Sequence, residues 1–251
     1  MHRFYVSPAE AEKRPLMLSE REAHHALNVL RLRTGEKVVV LDGEGSELSC
    51  EVHITPRQEI ELAVIQSHKV APLPFQITLL QAITKGKAMD IAVQKAAELG
   101  AYRIVPIIAD RSVSQPGPDS VENKVEKWQA TAIDAIKQCG SAWLPRIEGP
   151  LKPGQQLASG DKQELTLIAT LQSGAKHPRT HLDNFLQEKG RLPKTIAVWV
   201  GPEGDFTPAE INAIRSSGAL PITLGQLVLR SETASIYCLS VLNYEMQAPR
   251  P

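Results

Sequence analysis

The sequence contains no apolar run near the length of about 18–20 residues that a membrane-spanning helix requires. Its first residues, Met1-His2-Arg3-Phe4-Tyr5-Val6-Ser7-Pro8, have no apolar core of the kind that marks a signal peptide. Cysteine is scarce: Cys50, Cys139 and Cys238 are three in number and far apart. That spacing forms neither a disulfide framework nor a metal pattern, so the expectation is a reducing, cytoplasmic setting without a metal or a membrane. Excess charge is also missing, because 28 basic residues balance 28 acidic ones. A nucleic-acid-binding domain usually leaves a basic footprint, so any RNA contact here must rest on local clustering. Internal repeats and low-complexity segments are absent as well. What remains is an ordinary globular composition, 42% hydrophobic and 22% charged, over 251 residues. That length suits one large domain or two unequal ones.

The chain changes rhythm once. Residues 1–70 read as a compact β-rich unit. Lys37 to Leu41 is a β-branched run that ends at Asp42-Gly43, a favoured hairpin pair, and Leu48 to Ile54 alternates at period two. Glu59 to Val64 supplies a third strand, and Ser19-Glu20-Arg21-Glu22 is a capping box opening a helix through Leu30. Val70-Ala71-Pro72-Leu73-Pro74 is a stiff linker and the expected boundary. From residue 75 to 251 strands and helices alternate. Strands are expected over 76–82, 103–108, 165–169, 195–200 and 221–224, with helices over 88–99, 120–138 and 231–246. Thr207-Pro208-Ala209-Glu210 combines a capping box with an N1 proline and starts another helix. Such alternation predicts an α/β fold with a parallel sheet covered by helices.

Two turns in this second part carry the chemical information. Residues 199–206 read Trp-Val-Gly-Pro-Glu-Gly-Asp-Phe, a glycine-bounded turn after a hydrophobic strand. Leu224-Gly225, followed by Leu229-Arg230-Ser231-Glu232-Thr233-Ala234, repeats the sequence of strand, glycine turn and polar helix start. Ligands of parallel α/β sheets bind outside the carboxyl ends of the strands, where both turns fall. Gly201 and Gly204 would let a ligand approach the backbone, and Pro202 stiffens the loop. Neither turn matches the dinucleotide fingerprint or the P-loop, and Gly86-Lys87 lacks the surrounding residues of a P-loop. The pattern therefore predicts a nucleotide-like ligand held by main-chain groups without a phosphate cradle. The structural alternative is a pair of ordinary turns ahead of capped helices.

Lys87-Ala88-Met89-Asp90, Gln94-Lys95-Ala96-Ala97-Glu98-Leu99-Gly100, Val200-Gly201-Pro202-Glu203-Gly204, Leu224-Gly225 and Leu229 to Ala234 together resemble the bacterial 16S ribosomal RNA uracil-N3 methyltransferase family, of the SPOUT class. His25, Val29-Leu30-Arg31, Gly35 and Asp42-Gly43 are similar to the family's small PUA-like RNA-binding domain. The resemblance runs in order along nearly the whole chain. It implies an N-terminal PUA-like β-barrel domain (1–70) and a C-terminal trefoil-knotted parallel-sheet domain (75–251), an exception to the rule that chains avoid knots. It also implies a homodimer acting on 16S rRNA or the small ribosomal subunit with S-adenosylmethionine as cofactor. Its alternatives are a related SPOUT enzyme for another RNA base or a ribose 2′-hydroxyl, or a non-catalytic RNA-binding assembly protein.

The same resemblance places donor binding on Val200, Gly201, Glu203, Gly204, Leu224, Gly225, Leu229 and Ser231, with Leu171 and Gln172 after an earlier strand. Methyl transfer needs alignment more than acid–base power, yet uracil N3 carries a proton that has to leave. Arg230 is the candidate cation beside the base, and Glu232 and Glu203 are the candidate carboxylates. Other roles compete: Arg230 could pair with Glu203 or Glu232, Glu203 could brace its own loop, and Ser231 and Thr233 could cap the last helix. RNA contacts fall to Arg3, His25, Arg31 and Arg33 in the first unit and to Lys85, Lys87 and Arg111 in the second. The sequence departs from the family at Lys137 and Ser141, where a glutamate and an arginine are usual, and Lys137 or Arg146 is the expected replacement cation. Asp205 stands where glycine is usual.

Overall fold

The computed structural model describes residues 1–57, 59–112 and 118–247, with the side chains of 118–120 outside that description. The chain packs into two compact units, one of residues 1–72 with 133–144, the other of residues 73–132 with 145–251.

In the first unit, β1 (His2–Tyr5), α1 (Pro8–Ala11), β2 (Leu16–Met17), α2 (Glu20–His24), β3 (Lys37–Leu41), β4 (Ser46–Ile54) and β5 (Ile60–Lys69) build a curled five-stranded sheet of order β1-β3-β4-β5-β2. β1 runs parallel to β3, and the other pairs are antiparallel. Period-two alternation aims Val38 and Val40, Leu48, Cys50 and Val52, and Ile60 and Leu62 into one core with Phe4 and Leu16. The opposite face of β3, through Val39 and Leu41, packs on Ala142. Asp42 organises the β3–β4 turn, its Oδ1 accepting from the backbone N–H of Glu44 and of Ser46, each at 2.8 Å. Only half of the Ser19 capping box forms. Ser19 Oγ accepts from Glu22 N, but the Glu22 carboxylate turns to Lys137 Nζ at 2.6 Å.

The second unit holds β6 (Gln76–Ala82), α3 (Ala88–Glu98), β7 (Arg103–Ile107), α4 (Pro118–Cys139), β8 (Arg146–Ile147), α5 (Pro153–Ala158), β9 (Leu165–Ala169), α6 (Pro178–Lys189), β10 (Thr195–Val200), α7 (Pro208–Ser216), β11 (Leu220–Ile222) and α8 (Ser231–Gln247), the end of α4 belonging to the first unit. Its six strands are all parallel, in the order β11-β9-β10-β6-β7-β8. β6 and β10 are buried along almost their whole length, which is why β10 reads as a continuous apolar run and neither strand alternates in burial. Leu80, Val105, Ile168 and Trp199 meet Ile211 and Ile214 of α7 on one face of the sheet. α8 packs on β6 and β10 and against α3. The Thr207 capping box forms in full, with Thr207 N donating to Glu210 Oε2 at 2.8 Å and Glu210 N to Thr207 Oγ1 at 3.3 Å. Among the described residues no helix is long and apolar enough to cross a membrane.

Candidate functional site

The carboxyl ends of β9, β10 and β11 converge on a cavity of about 310 Å³, formed by the loops 169–172, 200–205 and 223–229 and the start of α8. That lies at the small end of the roughly 300–1,000 Å³ typical of ligand clefts. Leu171, Leu227 and Val228 stand at its rim, 66%, 77% and 74% exposed, so its mouth offers apolar surface to a flat ring. Nine of the ten residues assigned to donor binding line it: Leu171, Gln172, Val200, Gly201, Glu203, Leu224, Gly225, Leu229 and Ser231. Gly204 is not among them. Its carbonyl accepts from Arg111 Nη1 at 2.8 Å.

A buried polar relay holds the first turn. Ser231 Oγ donates to Gly201 O at 2.6 Å, and Gln81 Nε2 donates to Ser231 Oγ at 2.9 Å and to Ala82 O at 2.8 Å. Ser235 Oγ in turn bonds Gln81 Oε1. Gln81 is fully buried at the end of an otherwise apolar strand, and each of its bonds satisfies a group that would otherwise be costly to bury. Sequence reasoning missed Gln81. The available signal was an uncharged polar residue inside the run Thr78-Leu79-Leu80-Gln81-Ala82. Ser231, expected as a cap, uses its hydroxyl to tie α8 to the Gly201 turn.

Gly201 is tightly enclosed, since an added Cβ would lie 3.0 Å from Asp205 Oδ1 and 3.2 Å from Phe206 N. Gly225 is required by its backbone, at φ +109°. The Gly204 position has room, its nearest neighbour being Arg111 Cδ at 3.6 Å. Asp205 occupies the left-handed region at φ 59°, a conformation that favours glycine and that Asp tolerates. Asp205, rather than Glu203, braces the loop, with Oδ1 accepting from Phe206 N at 2.7 Å. Phe206 then meets Trp199 edge to face, ring centroids 6.1 Å apart, anchoring the turn to β10.

Arg230 is exposed, just ahead of α8, and its guanidinium pairs with neither Glu203 nor Glu232 among the described residues. Glu203 is exposed on the cavity wall and Glu232 is half-buried in the first turn of α8. Further along α8, burial pushes the Cys238 thiol up to about 12, so it is a neutral packing group. Among the described residues, no group of three or more His, Cys, Asp or Glu is placed to hold a metal.

The residues assigned to RNA separate by partner. His25, Arg31 and Arg33 are exposed on the first unit, with Arg31 at φ 55°. Arg3 instead donates through Nη1 to Lys137 O and Gln138 O, both at 3.3 Å, where a cation complements the carboxyl end of α4. Lys85 and Lys87 are exposed after β6, and Arg111 is exposed after β7. Neither expected replacement cation is free: Lys137 pairs with Glu22 and Asp134, and Arg146 lies 5.4 Å from the Tyr102 ring centroid. Asp90 pairs with Lys127 and Lys95 with Glu98.

Residues 71–243 match a family model described as an RNA methyltransferase domain, and residues 18–65 match an RNA methyltransferase PUA domain. The chain is 30% identical to ribosomal RNA small subunit methyltransferase E of Aquifex aeolicus, over 96% of this chain and 99% of that one. It is 26% identical to the protein of the same name from Bacillus subtilis, over 100% and 99% of the two chains. Among solved structures, a methyltransferase from Legionella pneumophila in complex with bound SAM superimposes with a TM-score of 0.85 at 31% identity, covering 96% of each chain. The Neisseria gonorrhoeae ribosomal RNA small subunit methyltransferase E bound to S-adenosylmethionine gives 0.81 at 26% identity, again over 96% of both.

Proposed function

The chain belongs to the RNA methyltransferase family, and on that premise we propose that it methylates N3 of a uridine in 16S ribosomal RNA, with S-adenosylmethionine as donor. The observation that carries the reading is the cavity at the ends of β9, β10 and β11, walled by main chain at Gly201 and Gly225. Relatives that cover 96% of the chain bind this donor.

The residues present fit the donor. The rim of Leu171, Leu227 and Val228 suits an adenine ring, and the exposed loop backbones supply donors and acceptors for its edge. Glu203 places a carboxylate on the wall of a site that receives a cation. When bound, the donor supplies a methyl group activated by positively charged sulfur. The chain's own residues then hold the acceptor. Arg230, adjacent to the cavity and without an ion pair among the described residues, stabilises the negative charge that spreads over the uracil once N3 loses its proton. Glu232 or Glu203 accepts that proton at a carboxylate oxygen. His25, Arg31 and Arg33 on the first unit, with Lys85 and Lys87 on the second, would contact RNA phosphates. The trefoil threading, the homodimer and a cytoplasmic location belong to the same proposal. The homodimer is supported by Ile91, Tyr237 and Tyr244, exposed apolar residues of α3 and α8.

Calorimetry of the full chain with S-adenosylmethionine is the first test, and no binding at millimolar ligand would remove the reading. Mass spectrometry of rRNA from a strain lacking the protein should show one missing N3-methyluridine. Arg230→Ala should lower the rate of methyl transfer by roughly 10²–10³-fold, the magnitude of losing one transition-state charge stabiliser, with donor affinity nearly unchanged. Equal losses in both would make Arg230 a binding residue.

A further inference from the structure

The Gly201–Asp205 turn has two sides, because β10 lies between β9 and β6 in the sheet. One side walls the cavity. The other is tied to the loop after β7 by one hydrogen bond, and α7, which follows the turn, is tied to the same loop by a second. Arg111 Nη1 donates to Gly204 O at 2.8 Å, and Asp110 N donates to Glu210 Oε1 at 2.9 Å. A guanidinium carries five N–H donors in a planar fork. Among the described residues the Gly204 carbonyl is the only hydrogen-bond partner of the Arg111 side chain, which is otherwise exposed. Lys85 and Lys87 follow β6, the strand between β10 and β7, and neither forms an ion pair among the described residues. Thr84 Oγ1 and Ser112 Oγ, in the same two loops, are buried and have no hydrogen-bond partner among the described residues.

We propose that Arg111 works in two directions: one N–H holds the wall of the donor cavity, and the rest of its fork takes an RNA phosphate together with Lys85 and Lys87. This rests on the methyltransferase reading above and adds a consequence to it. A planar guanidinium suits a phosphate while keeping a fixed bond elsewhere, which the point charge of a lysine does less well. A phosphate that orders Arg111 also orders the Gly201–Asp205 wall, so RNA and S-adenosylmethionine bind cooperatively. The coupling is reciprocal, each ligand raising the affinity for the other by the same factor. Arg111 is a positioning residue for the donor and a contact residue for RNA.

The test is calorimetry of S-adenosylmethionine binding to the full chain, alone and with a saturating uridine-containing single-stranded RNA oligonucleotide. The wild type should bind the donor at least about five-fold more tightly with RNA present, the lower end of usual couplings. Arg111→Ala should weaken donor binding alone by about ten-fold, as expected for losing a charge-assisted hydrogen bond, and should abolish the RNA effect. Lys87→Ala should leave donor binding alone unchanged while weakening RNA binding. Should Arg111→Ala melt early, Arg111→Lys decides: it keeps the charge and should restore donor affinity, with most of the coupling gone. An Arg111→Ala protein that binds donor within two-fold of the wild type, or an Arg111→Lys protein with full coupling, overturns the proposal. So does a wild type that binds both ligands without mutual effect. A wild type that binds no donor at all instead refutes the methyltransferase reading, and this proposal falls with it.

Discussion

The sharpest perturbation of the donor wall is one methyl group. In Gly201→Ala the new Cβ would lie 3.0 Å from Asp205 Oδ1, 3.2 Å from Phe206 N and 3.3 Å from Asp205 Cα. The first two are the two ends of the 2.7 Å bond between Asp205 Oδ1 and Phe206 N. Asp205 has little freedom to yield, since its backbone is already left-handed at φ 59°. Losing a hydrogen bond to a charged acceptor costs about 1.5–3 kcal/mol, and partial exposure puts this one near the lower end. A destabilisation near 1.5 kcal/mol lowers the melting temperature by roughly 3–6 °C in a protein of this size. Expressed in the cavity wall, the same energy weakens donor binding about ten-fold. Gly204→Ala is the matched control, because its Cβ meets only ordinary contacts, Arg111 Cδ at 3.6 Å and Cβ at 3.9 Å, and its φ is not positive. That change should be neutral or stabilise by up to about 1 kcal/mol, through a less flexible unfolded chain. Thermal melts and donor calorimetry on both variants check the argument. A Gly201→Ala protein that melts within a degree of the wild type and binds donor within two-fold refutes it. Equal losses in the two variants would refute it as well.

Ser231→Ala removes the donor to Gly201 O and one of the two acceptors of the buried Gln81 Nε2. It should destabilise by roughly 1–3 kcal/mol, and an unchanged melting temperature would show that the relay is dispensable. At the amino end of β9 and β10, the Arg191 side chain, and then the Lys194 backbone N–H, hold Glu164 down to about 2 from its ordinary 4.5. A depressed carboxylate stabilises above its unfolded value, so this contribution is complete above pH 4.5 and fades as pH falls toward 2. Melts of Glu164→Gln should therefore fall below the wild type near neutrality and converge with it at pH 2; parallel curves would discount the pair. Burial pushes Cys50 up to about 11 and Cys238 up to about 12, whereas Cys139 is exposed. A thiol reagent at pH 8 should label one cysteine in the native chain and all three after unfolding, and rapid labelling of a second would contradict the burial.

Much of the second unit was legible because its signals are local. A capping box acts between Thr207 and Glu210, and a buried parallel strand announces itself as a short apolar run such as Thr195 to Val200. The two glycine turns carried their own notice of backbone approach, and their place at strand ends predicted the cavity. Shorter elements did not announce themselves. β1, β2 and β8 are two to four residues long, too few for a period to show.

By itself the sequence determined the longer strands, most of the longer helices (α6, Pro178–Lys189, excepted), the parallel sheet and the two turns, since each depends on residues a few positions apart. The tertiary structure alone decided how those turns are held. Gln81 meets Ser231 across 150 residues, Arg111 meets Gly204 across 93, and Arg3 reaches the carbonyls of α4 across more than 130. It also decided that Asp205 rather than Glu203 braces the first turn, and that Gly201 rather than Gly204 is tightly enclosed. Periodicity and caps express local backbone energetics. Such long-range partners depend on the path of the whole chain, which no local pattern encodes.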